Sequence, residues 1–358
     1  MIFKKLENFR RLARGQCPRM AIWALLNYCN YSCIGCQFQL TRDRKAVTFD
    51  EAKKVIRFFK RNNIGLVALT GGEPMLHPRL FDIMEEIVRQ GMVIAYLTTN
   101  NTLINEENAK RMAKIPINIV GVSVRLDFFL LKEGPARQRE VARIKKATGL
   151  LKKYKVNFYG GVIISKLTSD ILRVCETMKE LGFDKVSFSY PQTVQKSSWK
   201  AFSDLPAFSF SAKEAKEIVD TIKKIKKKGS YPIYNTGESL DEFVRYYQGK
   251  PLKYPCVCGD KMFYVDWNCD LYGCFTLSNR IGNVLKGVKI RPCGPHCERC
   301  LQHAFKDPGI FYCALGNLYE IRDLLLAAKL GACAARLRKK ETVDSIRALL
   351  EIAKSPFI

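Results

Sequence analysis

Between residues 20 and 191 the chain alternates short apolar runs with longer segments of helical periodicity, and this constrains the fold more than any other feature. The apolar runs are MAIWALLN (20–27), IGLVALT (64–70), MVIAYLTT (92–99), NIVGVSV (118–124), VNFYGGVII (156–164) and KVSFSYP (185–191). Between them lie FDEAKKVIRFFKRN (49–62), RLFDIMEEIVRQ (79–90), NEENAKRMAK (105–114), a periodic stretch over 136–154, and SDILRVCETMKELG (169–182). Strands this apolar are buried on both faces, and the intervening helices supply the cover. The pattern predicts an α/β chain with a parallel sheet wound by helices, and the short βα repeats suit a full or partial barrel.

Beyond the alternation the character changes. Residues 191–210 hold Pro, Ser and aromatics without a period and read as a long loop. Helix 211–228 opens with Ser211 and Glu214 in capping-box spacing and closes at Gly229. Eight cysteines then crowd between 256 and 313 among many Gly and Pro and few helical signals, which predicts a small metal-organised module. Helical periodicity returns over 321–340 and 342–354. At the other end, Ile2, Phe3, Leu6, Phe9 and Leu12 fall near one helical stripe among basic residues, as in a basic amphipathic helix or a solvated docking arm. The expected organisation is an arm (1–19), a core barrel (20–238), a cysteine-rich module (239–316) and C-terminal helices (317–358).

Composition removes several classes. At 47% hydrophobic residues the chain is not a disordered one. It has no run of about 18 uncharged apolar residues, so no spanning helix is expected. An apolar run ahead of a small-residue cleavage site is also lacking, so no secretory signal is expected. A cytoplasmic chain, or one peripheral to the membrane, is expected, and its cysteines stay reduced for metal binding, catalysis or burial. With 14 cysteines and only 3 histidines, the metal reading tilts toward all-thiolate sites.

Directly after the first strand, Cys29, Cys33 and Cys36 form C-x3-C-x2-C. Three thiolates in one loop can hold three irons of a [4Fe–4S] cluster, leaving the fourth iron open to a substrate or cofactor. Three zinc ligands, or three cysteines buried by chance, are the competing readings. One βα unit downstream a strand ends in Gly71-Gly72-Glu73-Pro74. Glycines there allow close backbone approach to a ligand, and Glu73 can accept a hydrogen bond from an ammonium group. An isolated GGE is an ordinary turn; paired with the cysteine loop in this order, it is a constellation.

On these residues the chain resembles the radical S-adenosylmethionine superfamily over roughly residues 20 to 235. The resemblance implies a partial (β/α)6 TIM-like barrel and two cofactors, a [4Fe–4S] cluster on Cys29, Cys33 and Cys36 and S-adenosylmethionine. The open iron would chelate the methionyl amine and carboxylate. One electron, from a donor such as a flavodoxin or ferredoxin, would cleave the sulfonium bond to methionine and a 5′-deoxyadenosyl radical. Gly71, Gly72, Glu73 and Pro74 would hold the amine. Asn100, in YLTTNN, and Ser123, in GVSVRLD, match further cofactor-binding positions. Gly35 departs from the pattern, since an aromatic residue commonly precedes the third cysteine, and Phe38 or Tyr31 would then cover the adenine.

FYVDWNCDLYGC (263–274) resembles the opening of SPASM or Twitch auxiliary-cluster modules, with Cys258 and Cys274 fitting and Cys269 standing where those families carry glycine. An auxiliary [4Fe–4S] cluster would draw on Cys258, Cys274, Cys297, Cys300 and Cys313, with Cys256 as a substitute; a zinc ribbon is the competing reading. Cys175 and Cys333 read as small core residues, and Cys17 is unassigned. His77 reads as a loop cap, and His303 as a further ligand or a surface histidine.

For the substrate, Arg125, Asp127, Tyr190 and Asn235 are candidates to line the barrel mouth. Sixty Lys and Arg against 34 Asp and Glu leave +26, concentrated in the arm, in 143–155, in 223–228 and in 336–340. Such patches suit an anionic membrane surface, each basic residue near it adding about 1 kcal/mol. The leading expectation is therefore a radical enzyme acting on a lipid or isoprenoid. The hopanoid-adenosylating and tetraether-forming branches, similar in CNYSCIGC and in the CxxC-bearing tail, point the same way. A SPASM-type peptide maturase is the second reading. The third is a cysteine-rich zinc protein binding nucleic acid, although no aromatic-basic reading motif is present. Lysine-rich solvated helices of a heat-adapted protein explain the charge as well.

Overall fold

In the computed structural model, residues 18–131, 133–193, 197–200, 205–274, 276, 280–290 and 303–353 are described, with the backbone alone at 127, 303–307, 352 and 353. Six parallel strands follow one another in space as in sequence: β1 (Arg19–Ala24), β2 (Ile64–Thr70), β3 (Val93–Thr99), β4 (Ile117–Ser123), β5 (Phe158–Ile163) and β6 (Val186–Ser189). Between consecutive strands run α1 (Phe49–Arg61), α2 (Leu80–Arg89), α3 (Glu106–Lys114), α4 (Pro135–Lys153) and α5 (Ile171–Glu180). The sheet does not close on itself, so the architecture is the open, partial barrel.

Strand β1 shows why both faces must be apolar. Ala21, Trp23 and Leu25 pack into the core under the helices, whereas Met20, Ile22 and Ala24 face a second cluster with Ala68, Tyr264 and Phe38. Helix ends follow local chemistry. Thr48 with Glu51, and Ser211 with Glu214, form capping boxes on α1 and on α6 (Ala212–Lys228), and Gly229 ends α6 in the left-handed region at φ 65°.

Past α7 (Gly237–Tyr247) the chain returns to the sheet. Strand β7 (Met262–Val265) lies parallel to β1, in register from Met20↔Met262 to Trp23↔Val265. Strands β8 (Asp270–Tyr272) and β9 (Arg280–Asn283) then add an antiparallel meander, giving the order β6-β5-β4-β3-β2-β1-β7-β8-β9. Two expectations change here. The stretch 256–313, expected to show few helical signals, holds the start of α8 (His303–Leu326), which carries Pro308 within its span. The single helix expected over 321–340 is two, α8 and α9 (Leu330–Arg338), because Ala328 turns left-handed at φ 54°. The last helix is α10 (Lys340–Ala353). No helix among the described residues is long and apolar enough to cross a membrane.

Candidate functional site

The cysteine loop leaves the C-terminal end of β1, and the glycines of GGEP hold it there. Gly72 N donates to Leu26 O at 3.1 Å and Glu73 N to Tyr28 O at 3.0 Å. A Cβ on Gly72 would stand 1.8 Å from Tyr28 O, and one on Gly71, at φ 144°, would stand 2.6 Å from Leu26 O. The sequence suggested that these glycines admit a ligand. What they admit in the structure is the backbone that carries the cysteines.

Glu73 is 1% exposed. Its carboxylate accepts from Thr99 Oγ1 (2.8 Å), Asn100 N (2.6 Å) and Met75 N (3.0 Å), the last starting the short turn Pro74–Leu76. Burial outweighs these bonds and pushes its pKa up to about 7. Asn100 links the carboxylate to the loop: its Nδ2 lies 3.5 Å from Cys29 Sγ and 2.8 Å from Asn30 Oδ1, while its Oδ1 accepts from Thr102. Cys29 Sγ also accepts from Tyr31 N at 3.4 Å. Cys36 N donates to Cys33 O, and Cys29 and Cys36 border the same aromatic cluster. Burial raises both thiols, Cys36 to about 11, so occupation by a metal must displace their protons.

Gly35 adopts φ 76°, a left-handed geometry that would strain an aromatic L-residue at this position. Of the two proposed adenine covers, Phe38 is committed to the core, 2% exposed with its ring 5.4 Å from Trp199 and 6.0 Å from Trp267. Tyr31 stays at the loop. The Arg125 guanidinium lies 4.9 Å from its ring and that of Arg143 5.5 Å, and its buried hydroxyl has no hydrogen-bond partner among the described residues. Arg143 is itself held by Glu140 and Asn101. Sequence reading missed Thr99, Tyr31's arginine pair and the Asn30–Thr102 bond, because their partners lie in other βα units and no local pattern marks them.

The remaining sequence candidates divide. Ser123 ends β4, exposed and opposite Gly161 of β5. Arg125 covers Tyr31 and reaches Glu140 at 4.0 Å. The Asp127 side chain lies outside the described residues. Tyr190 bonds Ser239 Oγ at 2.8 Å and stacks on Phe243, and Asn235 brackets Phe188 N and O at 2.8 Å each. Both are buried, and these bonds explain them as parts of the fold. His77 likewise caps a loop, with Nε2 2.7 Å from Val47 O and Nδ1 accepting from Arg79 N.

A second thiol group forms where the chain enters β7. The Cys258 thiol hydrogen-bonds with both Cys256 and Cys274, and burial with these two neighbours raises its pKa well above the usual thiol range. Cys274 Sγ accepts from Thr276 N at 3.2 Å. Cys269 takes the left-handed φ 62°, a geometry that glycine adopts without strain, and its buried thiol faces the main core. Cys313 sits on α8 in a separate cluster with Tyr254, Ile310 and Ala348. Cys17, Cys293, Cys297, Cys300 and the His303 side chain lie outside the described residues. The ten described cysteines form no disulfide.

Among the described residues, no three His, Cys, Asp or Glu converge on a point suited to one metal ion. A [4Fe–4S] cluster asks for something different, since each thiolate binds its own iron around a cube. Three thiols on a loop docked by GGEP, with an amide donor at Cys29 and a buried carboxylate behind it, fit that group.

Residues 23–193 match the family model of the Radical SAM superfamily. An AdoMet-dependent heme synthase of Methanosarcina barkeri is 29% identical over 48% of this chain, which spans only 50% of that relative's length. A probable GTP 3′,8-cyclase of Sulfurisphaera tokodaii is 27% identical over 65% of this chain and 73% of its own. Among solved structures, anSMEcpe with bound AdoMet superposes with a TM-score of 0.57 at 20% identity, covering 76% of this chain and 79% of that one. Streptococcus suis SuiB bound to precursor peptide SuiA gives 0.52 at 14% identity, over 76% and 65%. Likeness at these identities establishes the fold.

Proposed function

Residues 23–193 belong to the radical S-adenosylmethionine superfamily, and we propose that they cleave S-adenosylmethionine reductively and spend the resulting radical on an unactivated carbon. When bound, a [4Fe–4S] cluster with S-adenosylmethionine supplies the electron and the 5′-deoxyadenosyl radical. The chain's own residues hold and orient. Cys29, Cys33 and Cys36 anchor the cluster, Glu73 receives the methionyl ammonium, and Asn100 donates toward Cys29 Sγ. Tyr31, braced by Arg125 and Arg143, covers the loop where the adenine is expected. Ser123 is exposed at the strand end nearby in sequence to Arg125 and is available to the ribose or carboxylate. A flavodoxin or ferredoxin delivers the electron.

The observation that carries this reading is the chain of contacts from Glu73 through Asn100 to Cys29. Protein purified and reconstituted without oxygen should be brown, and with a reductant and S-adenosylmethionine it should release 5′-deoxyadenosine and methionine. Colourless protein with stoichiometric zinc and no 5′-deoxyadenosine overturns the proposal.

For the substrate, a lipid or isoprenoid at an anionic membrane surface is supported by the +26 charge and its clustering. A second reading, a peptide maturase, is favoured by the Cys256–Cys258–Cys274 group following the barrel, because the SuiB structure holds a precursor peptide. Incubation with lipid extract or with candidate peptides, followed by mass analysis, separates the two.

A further inference from the structure

The C-terminal helices carry an apolar surface that the other described residues leave bare. Helix α8 ends at Leu326, the chain turns left-handed at Ala328, and α9 begins at Leu330. Every residue from 325 to 332 is exposed. Leu325, Leu326 and Leu330 are 51%, 80% and 67% exposed, and Leu337 extends the patch along α9 while Cys333 turns inward. Exposed leucines grouped in this way differ from the single surface leucines found on any protein.

Charge within the patch is one-sided, with the exposed acids Asp323 and Glu341 standing at its two ends. Residues 325–337, LLAAKLGACAARL, contain no acid. The arginines that face the bundle are neutralised, Arg336 by Glu320 and Arg322 by Asp323, each at 2.7 Å. Lys329 lies in the turn between Leu326 and Leu330, and Arg338, Lys339 and Lys340 follow Leu337 at the end of α9; all four are exposed and have no ion pair among the described residues. Exposed leucines with exposed cations beside them on the same two helices match the boundary of an anionic bilayer, where leucines enter the acyl layer and lysine stems leave their ammonium groups among phosphates. A second copy of this chain would set the same cations against each other.

We infer that the α8–α9 hairpin is a docking tip for an anionic lipid bilayer, with Leu325, Leu326 and Leu330 as anchors and Lys329, Arg338, Lys339 and Lys340 as the accompanying cations. This deepens the lipid-surface reading of the substrate and is independent of the cluster chemistry.

Sedimentation of the full chain with vesicles of phosphatidylcholine and phosphatidylglycerol tests it, with phosphatidylcholine vesicles alone as the comparison. The wild type is expected to sediment with the mixed vesicles, weakly with the neutral ones, and less as salt rises. The double substitution Leu326→Ser/Leu330→Ser should lower partitioning about tenfold or more, as should Lys339→Glu/Lys340→Glu. Both pairs are exposed, so circular dichroism and 5′-deoxyadenosine release should match the wild type. A wild type that stays in solution overturns the inference, as do leucine variants that sediment like the wild type. So does a wild-type dimer that dissociates in the leucine variant, because the patch would then be a contact between copies. Loss of 5′-deoxyadenosine release in the wild type would instead strike the catalytic reading and leave the docking result standing.

Discussion

The carbonyl oxygen of Tyr28 and the α-carbon of Gly72 are so close that a β-carbon on residue 72 would stand 1.8 Å from that oxygen. Two loops that belong to different βα units are thereby locked together, the one carrying the cysteines and the one carrying Glu73.

Gly72→Ala must push the cysteine loop away from GGEP. Overpacking against backbone has no flexible side chain to relieve it, so the loss should be about 3 kcal/mol. Denaturant unfolding of the apoprotein measures it, and reconstituted iron and absorbance near 400 nm should fall in parallel. Gly149→Ala is the control. It lies in α4 with nothing within 4 Å of its added Cβ, and should stabilise by about 0.5–1 kcal/mol.

Binding of S-adenosylmethionine should strengthen as pH rises through about 7. Burial sets the Glu73 pKa near that value, and only the ionised carboxylate accepts from an ammonium. Calorimetric or fluorescence titration of the reconstituted protein across this range checks the slope, which should flatten in Glu73→Gln. For the apoprotein's stability the sign is opposite. Between the ordinary value of 4.5 and about 7 the folded state keeps a proton that the unfolded chain has released, so this group's contribution declines as pH rises.

Asn100→Ala removes the amide donor at Cys29 Sγ while sparing the backbone N–H that serves Glu73. A donor to a cluster thiolate stabilises the more negative, reduced form, so its loss should lower the cluster's midpoint potential. Redox titration followed by paramagnetic resonance measures the shift. An unchanged potential with simple loss of cluster would point to a scaffolding role for Asn100 alone.

The second thiol group should distinguish its members. Cys258→Ala removes the sulfur that bonds both Cys256 and Cys274 and should reduce bound metal per chain, leaving 5′-deoxyadenosine formation from the first loop measurable. Cys269→Gly relieves a left-handed turn at φ 62° and should retain the metal of the parent. Metal analysis beside the unfolding midpoint reads both.

Much of this was open to reading along the chain. The six strands and their helices follow from apolar period and length, properties of neighbouring residues that need no knowledge of the fold. The same holds for the capping box at Ser211 and for C-x3-C-x2-C beside GGEP. For Tyr190 and Asn235 nothing along the chain marks their partners, because a polar residue after a strand has the same local signature whether it faces a substrate or, as here, also bonds Ser239 and Phe188.

Sequence alone determined which residues are the candidates to carry the chemistry: three closely spaced cysteines, a carboxylate after two glycines, and a cysteine-rich stretch beyond the barrel. Only the tertiary structure decided what each of them touches. It set Thr99 and Asn100 against Glu73, braced Tyr31 with arginines from a later loop and helix, and gathered Cys256, Cys258 and Cys274 while placing Cys313 in another cluster. The reason is physical. Spacing governs contacts within a turn or a loop, whereas contacts between strands depend on register and on which side of a helix a residue falls.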